Sequence, residues 1–176
     1  MGYGHVLWLF GDPRYVKDAG SSNIFIIWRT DEGRLKIITP FIDSGLILPG
    51  VTRQSIIDLA QDRFIQPRKQ KVIAKQCRMS VKEEEVEPLE VVESDLTIRQ
   101  LFTAAQKGNI LSAFGIGTAA FAIPVSKIAL GDETLRIDVN AIPHVVILRE
   151  WLSAIMYGTG NSYTSWAPVV EEKDEE

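Results

Sequence analysis

The stretch that decides the fold is Leu48 to Ala60, LPGVTRQSIIDLA. Pro49 and Gly50 interrupt the chain, and a helix is expected to start near Val51 or Thr52, with Ile56, Leu59 and Ala60 at helical spacing. A glycine-containing turn feeding a helix leaves the first backbone N–H groups unpaired. The helix dipole adds roughly half a positive charge at that end. The amides of Val51 and Thr52, with the Thr52 hydroxyl, therefore read as an anion site. The same residues also read as a Pro-Gly turn before a packed helix, and the segment alone does not choose between the two.

On the N-terminal side, His5 to Phe10 (HVLWLF) and Ile24 to Trp28 (IFIIW) are too continuously apolar for half-exposed strands and are expected to be buried ones. Between them Gly11 to Asn23 is rich in turn residues. Leu35 to Thr39 is a third strand, joined to the second through Asp31-Glu32-Gly33, a hairpin signal, and closed by Pro40.

On the C-terminal side, a helix is expected from about Thr97 to Lys107, with Thr97 and Gln100 as a capping box and Gly108 as its stop. Strands follow at Ile110 to Phe114, Phe121 to Val125 and Thr134 to Ile137. A last helix opens at Pro143, carries Leu148, Trp151, Leu152 and Ile155 on one face, and stops at Gly158. Residues 65–88 break this rhythm: they are charged, hold Pro67 and Pro88, and read as a long surface insertion. Residues 169–176 form an acidic tail expected to be unstructured. The pattern is that of a mixed α+β domain, rich in strands and flanked by helices.

Composition narrows the function. At 176 residues, 45% hydrophobic and 24% charged, the chain suits one domain with a real core. Its formal charge of -4 and the lack of a face-sized basic cluster argue against a nucleic-acid partner. The one basic concentration, Arg68 to Lys75, is followed closely by an acidic run at Glu83 to Glu87. Cys77 is the single cysteine, so an internal disulfide is excluded. His5 and His144 have no metal-ligand spacing. No run of about 18 apolar residues is present to span a membrane. Met1 to His5 match neither a signal nor a transit peptide.

Two further segments carry candidate chemistry. In Gly115-Ile116-Gly117-Thr118-Ala119-Ala120 the glycines let backbone approach a ligand and Thr118 offers a hydroxyl to a phosphate oxygen; a tight strand-to-strand bend accounts for it equally. In Asp18-Ala19-Gly20-Ser21-Ser22-Asn23 a carboxylate stands between two apolar runs, where it could meet a buried cation or simply bond its own turn.

Taken in order, Asp-Ala-Gly-Ser-Ser-Asn-Ile-Phe, LPGVTRQSIIDLA and FGIGTAAFAIPV resemble the branched-chain aminotransferases, within the class IV pyridoxal-phosphate-dependent aminotransferases that also include D-amino-acid transaminases and aminodeoxychorismate lyases. HVLWLFGD looks like the strand leading to the cofactor acid in the eukaryotic branch. The likeness runs from about residue 5 to 166, and it implies that residues 1–168 are the C-terminal large-domain portion of a fold-type IV enzyme, incomplete, with the insertion at about 65–88.

The resemblance also implies roles. Asp18 falls where the family holds a glutamate against the pyridine nitrogen of pyridoxal 5'-phosphate. Val51 and Thr52 match the phosphate-binding helix start. Thr118 matches the threonine that meets the phosphate, and Thr118 with Ala119 the turn that receives the substrate carboxylate. By the same likeness the full-length enzyme moves the amino group of leucine, isoleucine or valine to 2-oxoglutarate, as a homodimer in the cytoplasm or mitochondria.

Three departures are visible. Asp18 is one methylene shorter than glutamate, and the insertion is not required by the family pattern. The family's Schiff-base lysine lies upstream of the HVLWLF strand, and the nine lysines here stand in other contexts, so no catalytic residue is expected among these residues. The smaller N-terminal domain is likewise expected to lie outside these residues and to act as a partner, so that the chain is expected to be inactive alone. Where mammalian members carry Cys-x-x-Cys, Ala120 and Ile123 stand instead. The alternatives are a noncatalytic protein that retains the fold, serving interaction, and another class IV enzyme.

Overall fold

The computed structural model describes residues 2–42, 45–65, 86–118 and 121–158. A seven-stranded sheet is the frame: β1 (Leu7–Phe10), β2 (Tyr15–Ala19), β3 (Ser22–Arg29), β4 (Leu35–Thr39) and β5 (Leu89–Glu93) follow in that order, while β6 (Ile110–Ile116) pairs with the other side of β3 and carries β7 (Ile123–Pro124). All neighbours are antiparallel except β4 and β5, whose parallel pairing needs a crossover. Helix α1 (Val51–Phe64) lies within that crossover. Helix α2 (Ile98–Gln106) precedes β6, and a two-stranded hairpin, β8 (Lys127–Leu130) and β9 (Glu133–Arg136), precedes helix α3 (His144–Met156).

Strand β3 explains the architecture. Its residues Asn23 to Ile27 are all buried, because successive side chains enter two different cores. Phe25 and Ile27 face α1 and α3, in a core with Ile37, Ile56, Phe64, Phe114, Leu148 and Trp151. Ile24 and Ile26 face α2 and the β8–β9 hairpin, in a core with Val16, Leu101, Phe102, Ala113, Ile128 and Leu135. Phe25 and Phe114, paired across the strands, stack with centroids 5.3 Å apart. The α+β class read from the sequence is the one observed.

Local expectations are met where periodicity was strong. Helix α1 starts at Val51 with Gly50 as its N-cap, and α2 has the Thr97/Gln100 capping box. Helix α3 buries Leu148, Trp151, Leu152 and Ile155.

Three expectations need correction, and two strands are additional. His5 to Phe10 is not a buried strand: β1 begins at Leu7, lies at the end of the sheet path, and leaves Val6, Trp8 and Phe10 exposed by 55–60%. Gly11 to Asn23 is not all turn, for Tyr15 to Ala19 is a strand whose Val16 is fully buried. Phe121 to Val125 contracts to a two-residue strand. Lys127 to Leu130 and Leu89 to Glu93 are strands that were not expected, the latter opening one residue after the region taken as an insertion. Of that region, 66–85 lie outside the described residues, as does the 169–176 tail.

Candidate functional site

One end of the sheet gathers the segments singled out in the sequence. The β2–β3 hairpin sets Asp18 opposite Asn23. On its other side β3 sets Asn23 opposite Ile116, two residues before Thr118. Residues facing each other across antiparallel strands project to the same side, so Asp18 and Asn23 share the face that α1 covers. There the Asn23 amide nitrogen donates to Asp18 Oδ1 at 3.1 Å and to the Leu48 carbonyl at 3.0 Å. Asp18, Asn23 and the turn ahead of α1 are thus in direct contact.

The start of α1 is bare. Gly50 offers no side-chain cap, and no acidic residue stands in the first turn. Val51 is 84% exposed, and Thr52 is half-buried. The first amides of such a helix face outward, and among the described residues no side chain is seen to cap them.

Beneath them Arg53, in the same turn, is 1% exposed. Its Nη2 donates to the Pro40 carbonyl at 2.8 Å and to Glu93 Oε2 at 2.7 Å, joining α1 to the ends of β4 and β5. Its Nε is buried without a hydrogen-bond partner.

Asp18 is half-buried, and burial pushes its carboxyl above the ordinary carboxylate value. The Asn23 donor, the Arg53 charge and the Leu48 backbone oppose that rise without cancelling it. A cation beside Asp18 would oppose the effect of burial and favour its ionised form.

Thr118 is exposed at the end of β6. A Cβ on Gly117 would sit 3.4 Å from Ser22 Oγ, so the Gly-Ile-Gly-Thr segment packs on the β2–β3 turn. Ala119 lies outside the described residues. The other face of the hairpin borders a cavity of about 540 Å³ lined by Tyr3, His5, Ala19, Ser22 and Lys127 among others. Among the described residues, none of the expected site residues lines this cavity.

Each described lysine has a partner. Lys17, next to Asp18 but on the opposite face of the strand, pairs with Asp95 at 2.8 Å. Lys36 pairs with Glu90 and Lys107 with Asp31. Lys127 lies 4.5 Å from the Tyr3 ring, and its hydrogen bond holds that phenol below its usual value. His144 is buried, its Nε2 2.9 Å from the Glu87 carbonyl, with no metal-ligand group of three around any His, Cys, Asp or Glu among the described residues. Among those residues no helix is long and apolar enough to cross a membrane.

Sequence reading missed Asn23 and Arg53. The signal for Arg53 was present, since Arg53, Ile56, Ile57, Ala60 and Phe64 form one stripe at helical spacing and place a cation on the buried face. Asn23 is hidden because the residues of β2 look like turn in the sequence, so its strand partner is not evident.

The fold is similar to that of part of a solved aminotransferase. Over 94% of its length the chain superposes on 45% of a provisionally assigned branched-chain amino acid aminotransferase from Thermotoga maritima, with a TM-score of 0.55 at 22% identity.

Sequence comparison then identifies the relatives. The chain is 31% identical over 174 residues to the branched-chain-amino-acid aminotransferase of Dictyostelium discoideum, covering 97% of this chain and 39% of that protein. It is 33% identical to the mitochondrial enzyme of Rattus norvegicus, with 90% of this chain and 35% of that one covered. It is also 33% identical to the cytosolic enzyme of Ovis aries, with 89% and 35% covered. No family profile matches the sequence. The chain is similar over most of its length to part of these branched-chain aminotransferases, and it spans little more than a third of their length.

Proposed function

We propose that this chain forms one wall of the cofactor site of a branched-chain aminotransferase, with residues 1–168 as a large-domain portion. The observation that carries the reading is the contact network joining Asp18, Asn23 and the bare start of α1 at one end of the sheet. It supports pyridoxal 5'-phosphate as cofactor because the two ends of that molecule need opposite surroundings. Its phosphate needs uncapped amides, and its ring nitrogen needs a carboxylate.

The residues fit such a group. The amides of Val51 and Thr52 and the hydroxyls of Thr52 and Thr118 would take the phosphate oxygens. Asp18, raised by burial, would gain most from a protonated nitrogen and would keep it protonated. Bound in this way, the coenzyme supplies an electron sink for the charge released at the substrate Cα. Thr118 and Ala119 would receive the carboxylate of an amino acid or 2-oxo acid. No described lysine is left to form the imine, so the reading assigns that amine to a part of the enzyme outside the described residues.

Binding of pyridoxal phosphate to the purified 176-residue chain, followed by borohydride reduction and mass analysis, tests this. The expected outcome is saturable noncovalent binding, displaced by inorganic phosphate, with no stoichiometric pyridoxyl-lysine. Absence of phosphate-sensitive binding would overturn the cofactor wall. One stoichiometric adduct on Lys17, Lys36, Lys107 or Lys127, with leucine turnover, would overturn the assignment of the amine elsewhere.

A further inference from the structure

We propose that Asn23 is a positioning residue that locks the Asp18 carboxylate to the turn at Leu48–Thr52, so that the acid for the ring and the amides for the phosphate form one rigid unit. This inference rests on the cofactor reading above and adds a component to it.

Three observations support it. Asn23 is 7% exposed and sits in the strand that pairs on both sides, opposite Asp18 in β2 and Ile116 in β6, so its backbone has no lateral freedom. Both of its partners, the Asp18 carboxylate and the Leu48 carbonyl, are acceptors. An amide has two N–H donors, both are spent here, and the orientation of the group is therefore fixed by chemistry. The remaining oxygen then faces Gly50, where an added Cβ would collide with Asn23 Oδ1. Gly50 has φ -67° and ψ 131°, which any residue adopts. Glycine is needed there for space, and the space is filled by Asn23.

The consequence is mechanical and electrostatic. Without the amide, Asp18 loses a donor that favours its ionised form, and only Arg53 and the Leu48 backbone still oppose burial. The turn loses one of its two ties to the sheet at Leu48, keeping the backbone bond to Asp18, while its amides remain. Phosphate affinity should therefore survive, and the extra affinity contributed by the ring should not.

The test uses the full chain with ¹³C-labelled aspartate. Asp18 is titrated by NMR, and noncovalent affinities for pyridoxal phosphate and inorganic phosphate are measured side by side. In Asn23→Leu, Asp18 is expected to titrate at higher pH than in the unsubstituted chain. Inorganic phosphate should bind as before, while the preference for pyridoxal phosphate over it falls about tenfold, the worth of one hydrogen bond to a charged group. Gly50→Ala keeps the amide but displaces it, and is expected to move Asp18 the same way. It guards against a misfolded Asn23 variant.

An unchanged Asp18 titration in both variants overturns the proposal. So does an equal loss of both affinities, which is the mark of a purely structural residue. If the unsubstituted chain binds neither ligand, the cofactor reading fails, and the Asp18 titration alone then decides whether Asn23 positions it.

Discussion

Two helix starts in this chain are built in opposite ways. Helix α2 opens on Thr97, whose hydroxyl accepts from the Gln100 backbone at 3.1 Å while Gln100 Oε1 accepts from the Thr97 amide at 2.9 Å. The helix answers its own loose amides and needs nothing from outside. Helix α1 opens on Gly50, with no cap and no acid in its first turn, and with Val51 in solvent. Its support comes from below, through Arg53 and its bonds to Pro40 and Glu93. A closed start belongs to a helix that only packs. An open start, braced from beneath, leaves donors free for an anion.

Exchanging the supports should show the difference. The largest effect is expected for Arg53→Met, which removes the brace, strips the Pro40 carbonyl of its donor and leaves Glu93 unpaired. Because Arg53 is 1% exposed, a loss of about 3 kcal/mol is expected, at the low end for a broken buried pair since Glu93 reaches solvent. Chemical denaturation would measure it, and a loss below about 1 kcal/mol would mean that α1 is held mainly by Ile56, Ile57 and Phe64. Thr97→Ala should cost about 1 kcal/mol, the usual worth of an N-cap. It should leave phosphate binding untouched, because α2 takes no part in the site.

The contrast was only half legible in the sequence. The capping box could be read because its two residues are three apart and act on each other. The bare start could be read because Pro49-Gly50 precedes a periodic stripe. The tie between α1 and the sheet could not, since Asn23 and Leu48 are 25 residues apart and Arg53 and Glu93 are 40 apart. Only the fold brings them together. β1 misled for a different reason: its apolar run Val6 to Phe10 looks like a buried strand, yet it ends the sheet path with Trp8 and Phe10 in solvent. Continuous hydrophobicity reports a surface suited to cover, and does not say whether the cover lies within the same chain.

A third helix start adds a pH dependence. His144 begins α3, with Nε2 against the Glu87 carbonyl, so that nitrogen carries the proton and the buried Nδ1 stays bare. Burial holds its pKa below the ordinary histidine value, with the Arg29 charge acting the same way and Glu87 opposing. The unfolded chain therefore binds the proton first on acidification. Stability is expected to be constant above about pH 6.5 and to fall as pH drops from there toward the lowered folded pKa. Thermal melts between pH 8 and 5 check this, and His144→Phe should flatten that part of the profile.

The smallest effect on stability tests the meaning of the open start most directly. Val51→Asp places a carboxylate at the first turn of α1, on a side chain that is already 84% exposed. For a helix alone this is an improvement, since an acid there interacts favourably with the dipole by about 0.5 kcal/mol. For an anion site it is an occupation of the site by the wrong group, with a fixed negative charge where phosphate oxygens would lie. The expected result is a chain slightly more stable in denaturant that no longer binds pyridoxal phosphate. The two readouts move apart because an uncapped helix end gives up a little stability in order to remain available. A variant that gains stability and keeps its affinity would show that the bare amides of α1 are not where the phosphate sits.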